Sequence, residues 1–246
     1  MEKKRRYELL DAYRGFTILS MIGYHFSYDV FILYGRYPEW LSNPFGYIWQ
    51  QSICISFILI CGLCASFSRD LLKRGILINI CGLVITGVTA IASPSAVVYF
   101  GVLNLLGCSL LLLIPVRKMI HDKNWWFIGL ISFLLFFLFR NVADGYLGFG
   151  NTILYRMPVG LYHTKWMVPV GFPYPGFYSA DYFPILPWFF LFLTGYCMSF
   201  YLKKAEWLKK ILEQKVPVLS WIGKHSLIIY MLHQPVLMGI CILFFR

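Results

Sequence analysis

The sequence predicts an all-α, polytopic integral membrane helix bundle with about seven transmembrane helices. Of the 246 residues, 59% are hydrophobic and only 13% are charged, which is too little charge for the surface of a soluble protein. The apolar residues fall in long runs, and most of the basic residues lie between those runs. We therefore expect a single transmembrane domain over residues 1–246, located in the cell membrane.

Seven apolar runs are long enough, some with help from flanking residues, to cross roughly 30 Å of hydrocarbon. In chain order, the predicted spans are 8–33, 45–67, 75–92, 96–116, 125–141, 183–202 and 219–244. Pro94 ends a helix between the third and fourth spans, which predicts a hairpin. The first run contains Arg14 and His25, and no small-residue cleavage site follows it. We therefore expect a retained span rather than a signal peptide.

The basic residues predict the orientation of the chain. Fifteen of the 22 Lys and Arg lie in the segments MEKKRR, SRDLLKRG, VRKMIHDKN and KKAEWLKKILEQK. Since cytoplasmic loops are enriched in basic residues, these four segments are expected inside. The N-terminus is then cytoplasmic, and the C-terminus and the long loop 141–182 are extracytoplasmic. The net charge of +11 follows from this bias and does not indicate a nucleic-acid partner.

The seven cysteines indicate neither disulfides nor a metal site. All of them lie in predicted spans, and the pair Cys61 and Cys64 has no second CxxC or histidine pair nearby. Small residues of this kind are typical of helix packing in membranes. The sequence also lacks a P-loop, a GxSxG elbow and an HExxH motif.

The first span carries a polar stripe that favours a functional site. Arg14 and His25 are eleven residues apart, so on a helix they lie within about 20° of one face and about 16 Å apart along the axis. Asp11 precedes Arg14 by three residues and Asp29 follows His25 by four, which places all four on that face. Ionisable residues inside a bilayer are costly and usually mark a functional pathway.

A structural interpretation of the stripe remains open. Asp11 and Arg14 lie near the start of the segment, where a local ion pair would serve only to anchor the helix. His25 could hydrogen bond to a neighbouring helix, and Asp29 could lie at the outer interface. The shared face favours the functional interpretation of His25, because unrelated anchors would have no reason to align.

The long outer loop, 141–182, is rich in glycine, proline and aromatic residues. Loops of this length in compact domains are usually functional. Six aromatic side chains could stack on a sugar: Tyr155, Tyr162, Trp166, Tyr174, Phe177 and Tyr178. An interfacial aromatic belt explains the same residues slightly better, and His163 and Lys165 are expected at the surface.

Four further polar residues lie on or just before later spans. Asp181 precedes the sixth span, where a helix cap is favoured over contact with an acceptor at the outer mouth of a cavity. In the seventh span, Pro235 frees a backbone carbonyl near His233 and Gln234, which is consistent with a substrate cavity or with an interhelical network. Asn104 places an amide at mid-depth in the fourth span, where an interhelical bond is favoured over substrate contact.

Several of these segments carry a family resemblance. Arg14-x10-His25 resembles the R-x10-H motif on the first helix of the transmembrane acyltransferase (acyltransferase-3-like) superfamily. The segments RYELLDAYRGFTILSMIGYHF, FGVLNLLG, ADYFPILPW and SLIIYMLHQPV look like the bacterial heparan-α-glucosaminide N-acetyltransferase catalytic-domain family. The likeness covers essentially the whole chain in the same order.

The resemblance implies a membrane-bound acetyltransferase. Such proteins transfer an acyl group, usually acetyl from cytosolic acetyl-CoA, to a glycan or amino-sugar acceptor on the other side. His25 becomes the candidate base or acyl carrier, with Asp29 orienting its ring, and Arg14 with Asp11 becomes the candidate donor-binding pair. The candidate acceptor contacts are Asp181, His233, Gln234 and Asn104.

The alternative function is a small transporter that uses the same stripe to pass protons or a substrate. Turnover of acyl-CoA by the purified protein, as opposed to uptake without chemistry, discriminates between the two. The expected partners are membrane lipid and the acceptor, with no metal. The sequence does not specify the oligomeric state, and a homodimer is compatible with it.

Overall fold

The computed structural model describes residues 7–37, 39 and 43–245, and most of them are helical, as the sequence predicted. The basic segment MEKKRR lies outside these residues. The helices are α1 (Glu8–Tyr28), α2 (Pro44–Ala65), α3 (Leu71–Ala92), α4 (Val102–Val116), α5 (Trp125–Leu138), α6 (Ile185–Lys204), α7 (Glu206–Leu212), α8 (Pro217–Lys224) and α9 (Ser226–Phe244). Strands β1 (Tyr146–Phe149) and β2 (Thr152–Arg156) pair antiparallel in the outer loop.

Six helices in the described part of the chain are long and apolar enough to cross a membrane, namely α2–α6 and α9, with α4 and α5 counted together with the turns that follow them. The protein is therefore a multi-pass membrane protein. α1 falls outside this set because Asp11, Arg14 and His25 make it more polar than the others. That α1 also crosses the membrane stays a prediction.

The prediction of one helix over 219–244 is wrong. α8 ends at Lys224, α9 begins at Ser226, and His225 separates them. The Nδ1 atom of His225 lies 2.8 Å from the carbonyl oxygen of Trp221, one turn earlier. This ring therefore engages, at the end of α8, a backbone carbonyl that also accepts from the His225 amide at 3.2 Å.

The backbone divides into two compact units. The first contains residues 1–60 and 202–246, and the second contains residues 61–201. The first unit thus includes α1, most of α2 and α7–α9. The second includes α3–α5, the outer loop and most of α6. The single domain predicted over 1–246 stays a prediction.

In the first unit, α1 and α8 pack with their backbones in contact. A Cβ atom added to Gly15 would lie 2.1 Å from the carbonyl oxygen of Leu219, and one added to Gly223 would lie 1.8 Å from that of Asp11. Only glycine permits so close an approach. At the start of α1, Lys224 binds both carboxylate oxygens of Glu8 at 3.1 Å.

In the second unit, α3 and α4 pack through reciprocal pairs of glycine and asparagine. The Asn104 side chain of α4 covers Gly82 of α3, and Asn79 of α3 covers Gly107 of α4, each within 3 Å of where a Cβ would stand. This arrangement confirms the predicted hairpin. Asp70 caps α3, since its side chain accepts a hydrogen bond of 2.9 Å from the Lys73 amide.

The long loop 141–182 is held by two partly buried phenols as well as by its hairpin. The Tyr162 hydroxyl donates to the carbonyl of Val142, and that of Tyr182 to the carbonyl of Val168, both at 2.5 Å. Burial raises the pKa of both phenols, so they stay protonated and able to donate at neutral pH. These bonds give the long loop a defined structure.

Candidate active site

The first turns of α1 hold the predicted donor-side pair. Nη1 of Arg14 lies 3.4 Å from a carboxylate oxygen of Asp11 and 3.4 Å from the carbonyl oxygen of Gly223 on α8. Both side chains are largely buried, with 16% and 14% of their surface exposed. The structure therefore shows the local Asp11–Arg14 ion pair that the structural interpretation allowed, and the same guanidinium also contacts the end of α8; the donor-binding role of the two residues stays a prediction.

The C-terminal end of α1 changes its helix type at the buried Asp29. The helix continues as a π-helical turn from Asp29 to Leu33, and the Tyr34 amide donates to the Asp29 carbonyl at 3.1 Å. The wider turn places one extra residue in the ring closed by each hydrogen bond, and such turns are frequent at functional sites. No part of the Asp29 side chain is exposed to solvent.

Asp29 is paired with α9. Nε2 of Gln234 lies 3.1 Å from each of its carboxylate oxygens, across 205 positions of sequence. The amide therefore satisfies a buried carboxylate that would otherwise be costly. Sequence reasoning assigned Asp29 to the ring of His25, but its hydrogen bonds among the described residues go to Gln234.

Two histidines of the first unit, His25 and His233, face each other. The ring centroids of His25 on α1 and His233 on α9 are 5.0 Å apart, with an angle of 57° between the planes. The edge of the Tyr24 ring also contacts His25, with centroids 5.9 Å apart. The structure thus brings together two residues that the sequence placed on separate helices, and it adds Asp29, one turn after His25, and Gln234, the residue after His233.

The protonation site on His233 follows from its hydrogen bond. Nδ1 lies 2.6 Å from the carbonyl oxygen of Tyr230, and a carbonyl can only accept, so Nδ1 carries the proton. In the neutral ring, Nε2 therefore keeps its lone pair. This Nε2 is buried, and it has no hydrogen-bond partner among the described residues, as is also true of Oε1 of Gln234. Buried polar atoms without partners are uncommon, and a catalytic role is one explanation for them.

The other two predicted acceptor contacts lie in the second unit. Asn104 packs on Gly82 of α3, which is an interhelical contact, but the interhelical hydrogen bond favoured for its amide is not found among the described residues. A carboxylate oxygen of Asp181 lies 3.5 Å from the Val102 amide, at the limit of a hydrogen bond. The predicted cap therefore serves the start of α4, whereas the sequence assigned it to α6. The two segments lie side by side, since the Phe183 amide donates to the Phe100 carbonyl at 3.0 Å.

The aromatic side chains of the outer loop divide into two groups. Tyr162 packs edge-on against Phe172, and Tyr174 packs edge-on against Phe177, so these rings contribute to the structure of the loop. Three predicted stacking residues are exposed, namely Tyr155, Trp166 and Tyr178. His163 and Lys165 are exposed as well, as predicted.

A comparison with known protein families gives a match over most of the chain. The family model described as heparan-alpha-glucosaminide N-acetyltransferase, catalytic, matches residues 6–235. This range includes all eight predicted site residues. No curated protein and no solved structure matches the chain significantly.

Proposed function

Since the chain belongs to the heparan-alpha-glucosaminide N-acetyltransferase catalytic family, we propose that it transfers acetyl from cytosolic acetyl-CoA to an extracytoplasmic glycan or amino-sugar acceptor. The observation that carries the proposal is the family match over residues 6–235, which makes an acetyltransferase the activity to expect. The facing histidines of α1 and α9 supply groups suited to acyl transfer. A cell membrane location, with the N-terminus inside, belongs to the same proposal.

In this proposal, His25 is the residue that meets the acetyl group. A histidine can act as a base on the attacking acceptor or carry the acetyl group on a ring nitrogen. Its position on a largely apolar helix removes competing water, which would otherwise hydrolyse an acyl intermediate. Asp29 contributes through Gln234, because their two hydrogen bonds fix α1 to α9 beside the histidines.

We propose that acetyl-CoA binds at the start of α1. Acetyl-CoA enters from the cytoplasm as a substrate, and its phosphates are expected to approach Arg14 before its thioester reaches His25. Arginine suits phosphate because its planar guanidinium presents several donors to the oxygens. Asp11 and the Gly223 carbonyl orient that guanidinium. On the acceptor side, His233 and Gln234 lie beside His25 and are the proposed contacts.

A transfer assay on the purified protein tests the function directly. With acetyl-CoA and glucosamine or an aryl α-glucosaminide, we expect an acetylated sugar by mass spectrometry and an equal amount of free CoA thiol. Proteoliposomes loaded with labelled glucosamine test the transporter alternative. Movement of the sugar without acetylation would support the transporter alternative and contradict the acetyltransferase proposal.

The orientation yields a separate prediction. A reporter active only in the cytoplasm is expected to be active when attached at Asp122 and silent when attached at Gly160. Asp122 lies in a basic loop and Gly160 in the long aromatic loop, and basic loops are retained inside. Reporter activity normalised to protein amount measures this. The reverse pattern would exclude a donor site inside and an acceptor site outside.

The donor site yields another prediction. Arg14→Ala should weaken acetyl-CoA binding by about 10–100-fold, since a hydrogen bond to a charged group is worth roughly 1.5–3 kcal/mol. Thermal protection by acetyl-CoA, taken relative to each variant's own unliganded melting temperature, measures the loss. Lys73→Ala is the matched control, because the Lys73 side chain is 87% exposed and offers only diffuse attraction. Equal losses in the two variants would remove Arg14 from the donor site.

A further inference from the structure

We propose that His233 is the general base of the acetyl transfer and that its Nε2 takes the proton of the attacking acceptor, an assignment that rests on the proposed function. Three observations support it. The Tyr230 carbonyl holds the proton on Nδ1, which leaves the Nε2 lone pair available in the neutral ring. Nε2 is buried and lacks a partner among the described residues. The ring also faces that of His25 at 5.0 Å.

Asp29 and His25 are less suited than His233 to act as the general base. A base needs a lone pair on a defined atom, which for histidine means a fixed tautomer. Both carboxylate oxygens of Asp29 already accept from Gln234. His25 contacts the rings of Tyr24 and His233, and in the described residues it makes no hydrogen bond that would select one of its nitrogens. His233 is the group whose basic atom the structure defines.

The proposed step balances in atoms and charge. The acceptor amine attacks the acetyl carbonyl carbon, a carbon–nitrogen bond forms, and the carbon–sulfur bond to CoA breaks. The proton released by the amine passes to Nε2 of His233, and the resulting imidazolium returns it to the departing CoA thiolate. If His25 first carries the acetyl group, its ring nitrogen attacks the thioester, the carbon–sulfur bond breaks, and CoA leaves as the thiol with the other ring proton of His25. The amine then attacks the acetyl carbon, the bond to the His25 ring nitrogen breaks, and the proton that His233 takes from the amine is returned to that ring.

This assignment gives the two helices different roles in the reaction. His25 on α1 meets the acetyl group, and His233 on α9 moves the proton. The Asp29–Gln234 bonds then hold the two rings at their separation, since Gln234 directly follows His233 and Asp29 lies one turn beyond His25. Asp29 and Gln234 are positioning residues in this scheme, and His233 is a catalytic residue.

The test compares two substitutions of one side chain. His233→Asn can keep a donor near the Tyr230 carbonyl but removes the basic nitrogen, whereas His233→Ala removes both and leaves space for a small base. Acetyl transfer to glucosamine, normalised to protein that acetyl-CoA protects thermally, is expected to fall about 10²–10⁴-fold in both. Added imidazole should restore part of the activity of His233→Ala. His225→Asn is the matched control, because this exposed histidine also engages a backbone carbonyl, and it should remain active.

Each outcome has a defined meaning. Activity near wild type in His233→Asn would overturn the assignment, because the Tyr230 bond alone would then suffice. Failure of imidazole to restore a folded His233→Ala would also count against a missing base. If His233→Ala does not fold, the Asn variant decides. A wild-type protein that acetylates no amino sugar would remove the proposed function itself, whereas an active wild type with active His233 variants would remove this inference alone.

Discussion

Replacing His25 with alanine is expected to reduce acetyl transfer by about 10²–10⁴-fold while acetyl-CoA continues to protect the protein against heat. Loss of an acyl carrier would reduce it further, because the two-step route would disappear. Donor binding should persist because Arg14, the proposed phosphate contact, lies eleven residues earlier on α1. Turnover with glucosamine, normalised to folded and acetyl-CoA-binding protein, is the measurement.

The control for this experiment is Asp29→Asn, which keeps the shape of the side chain. The neutral amide can still bond to Gln234, so the α1–α9 connection is weakened rather than lost, and the expected fall in transfer is milder than for His25→Ala. If His25 is only a packing residue, His25→Ala should instead lower thermal stability and retain turnover per folded molecule. Normalised turnover near that of the wild type in His25→Ala would contradict the catalytic assignment of His25.

Much of the fold followed from the sequence because long apolar runs have few alternatives in a membrane protein. The bounds predicted for the first helical segment, 8–33, coincide with α1 and its π-helical turn. The change to π-helix at Asp29 was not predicted. Its signal is not local, since the carboxylate there bonds to Gln234, 205 positions away. Hydrophobic periodicity carries no information about such a bond.

The sequence grouped the candidate residues within each helix but not between helices. The shared face grouped His25 with Asp29, and the proline-containing segment grouped His233 with Gln234 on another helix; their functional roles stay predictions. The partners follow from helix packing: His25 faces His233, and Asp29 bonds to Gln234. A single sequence gives residue spacing within a helix, but not the rotation of one helix against another.

The break between α8 and α9 at His225 also depends on helix packing that a single sequence does not show. The sequence predicted one long span through His225, yet α8 ends at Lys224. The glycine just before, Gly223, indicates the reason, because it brings α8 against the backbone of α1. A helix held by such a contact need not continue in line with the next one. Gly15 and Gly223 are separated by 208 positions, so no local pattern connects them.

This close approach leads to the largest expected effect on stability. Gly223→Ala would place a Cβ 1.8 Å from the carbonyl oxygen of Asp11, and Gly15→Ala would place one 2.1 Å from that of Leu219. Because both obstacles are backbone atoms, a side-chain rotation cannot relieve the clash, and α8 must move away from α1. Forced overpacking typically costs about 1–3 kcal/mol and occasionally more. The melting temperature of the purified protein in detergent should fall by several degrees in each variant.

Gly239→Ala is the matched control for this pair. Gly239 lies in α9 of the same unit, and a Cβ there would meet no atom within 4 Å. Alanine at this position should therefore leave stability unchanged or raise it by about 0.5–1 kcal/mol, since it costs less entropy in a helix than glycine. The displaced α8 would also remove the Gly223 carbonyl from Arg14, so protection by acetyl-CoA should fall in Gly223→Ala but not in Gly239→Ala. Equal melting temperatures for Gly15→Ala, Gly223→Ala and Gly239→Ala would contradict the close packing of α1 on α8, and with it the contact that orients the proposed donor-binding arginine.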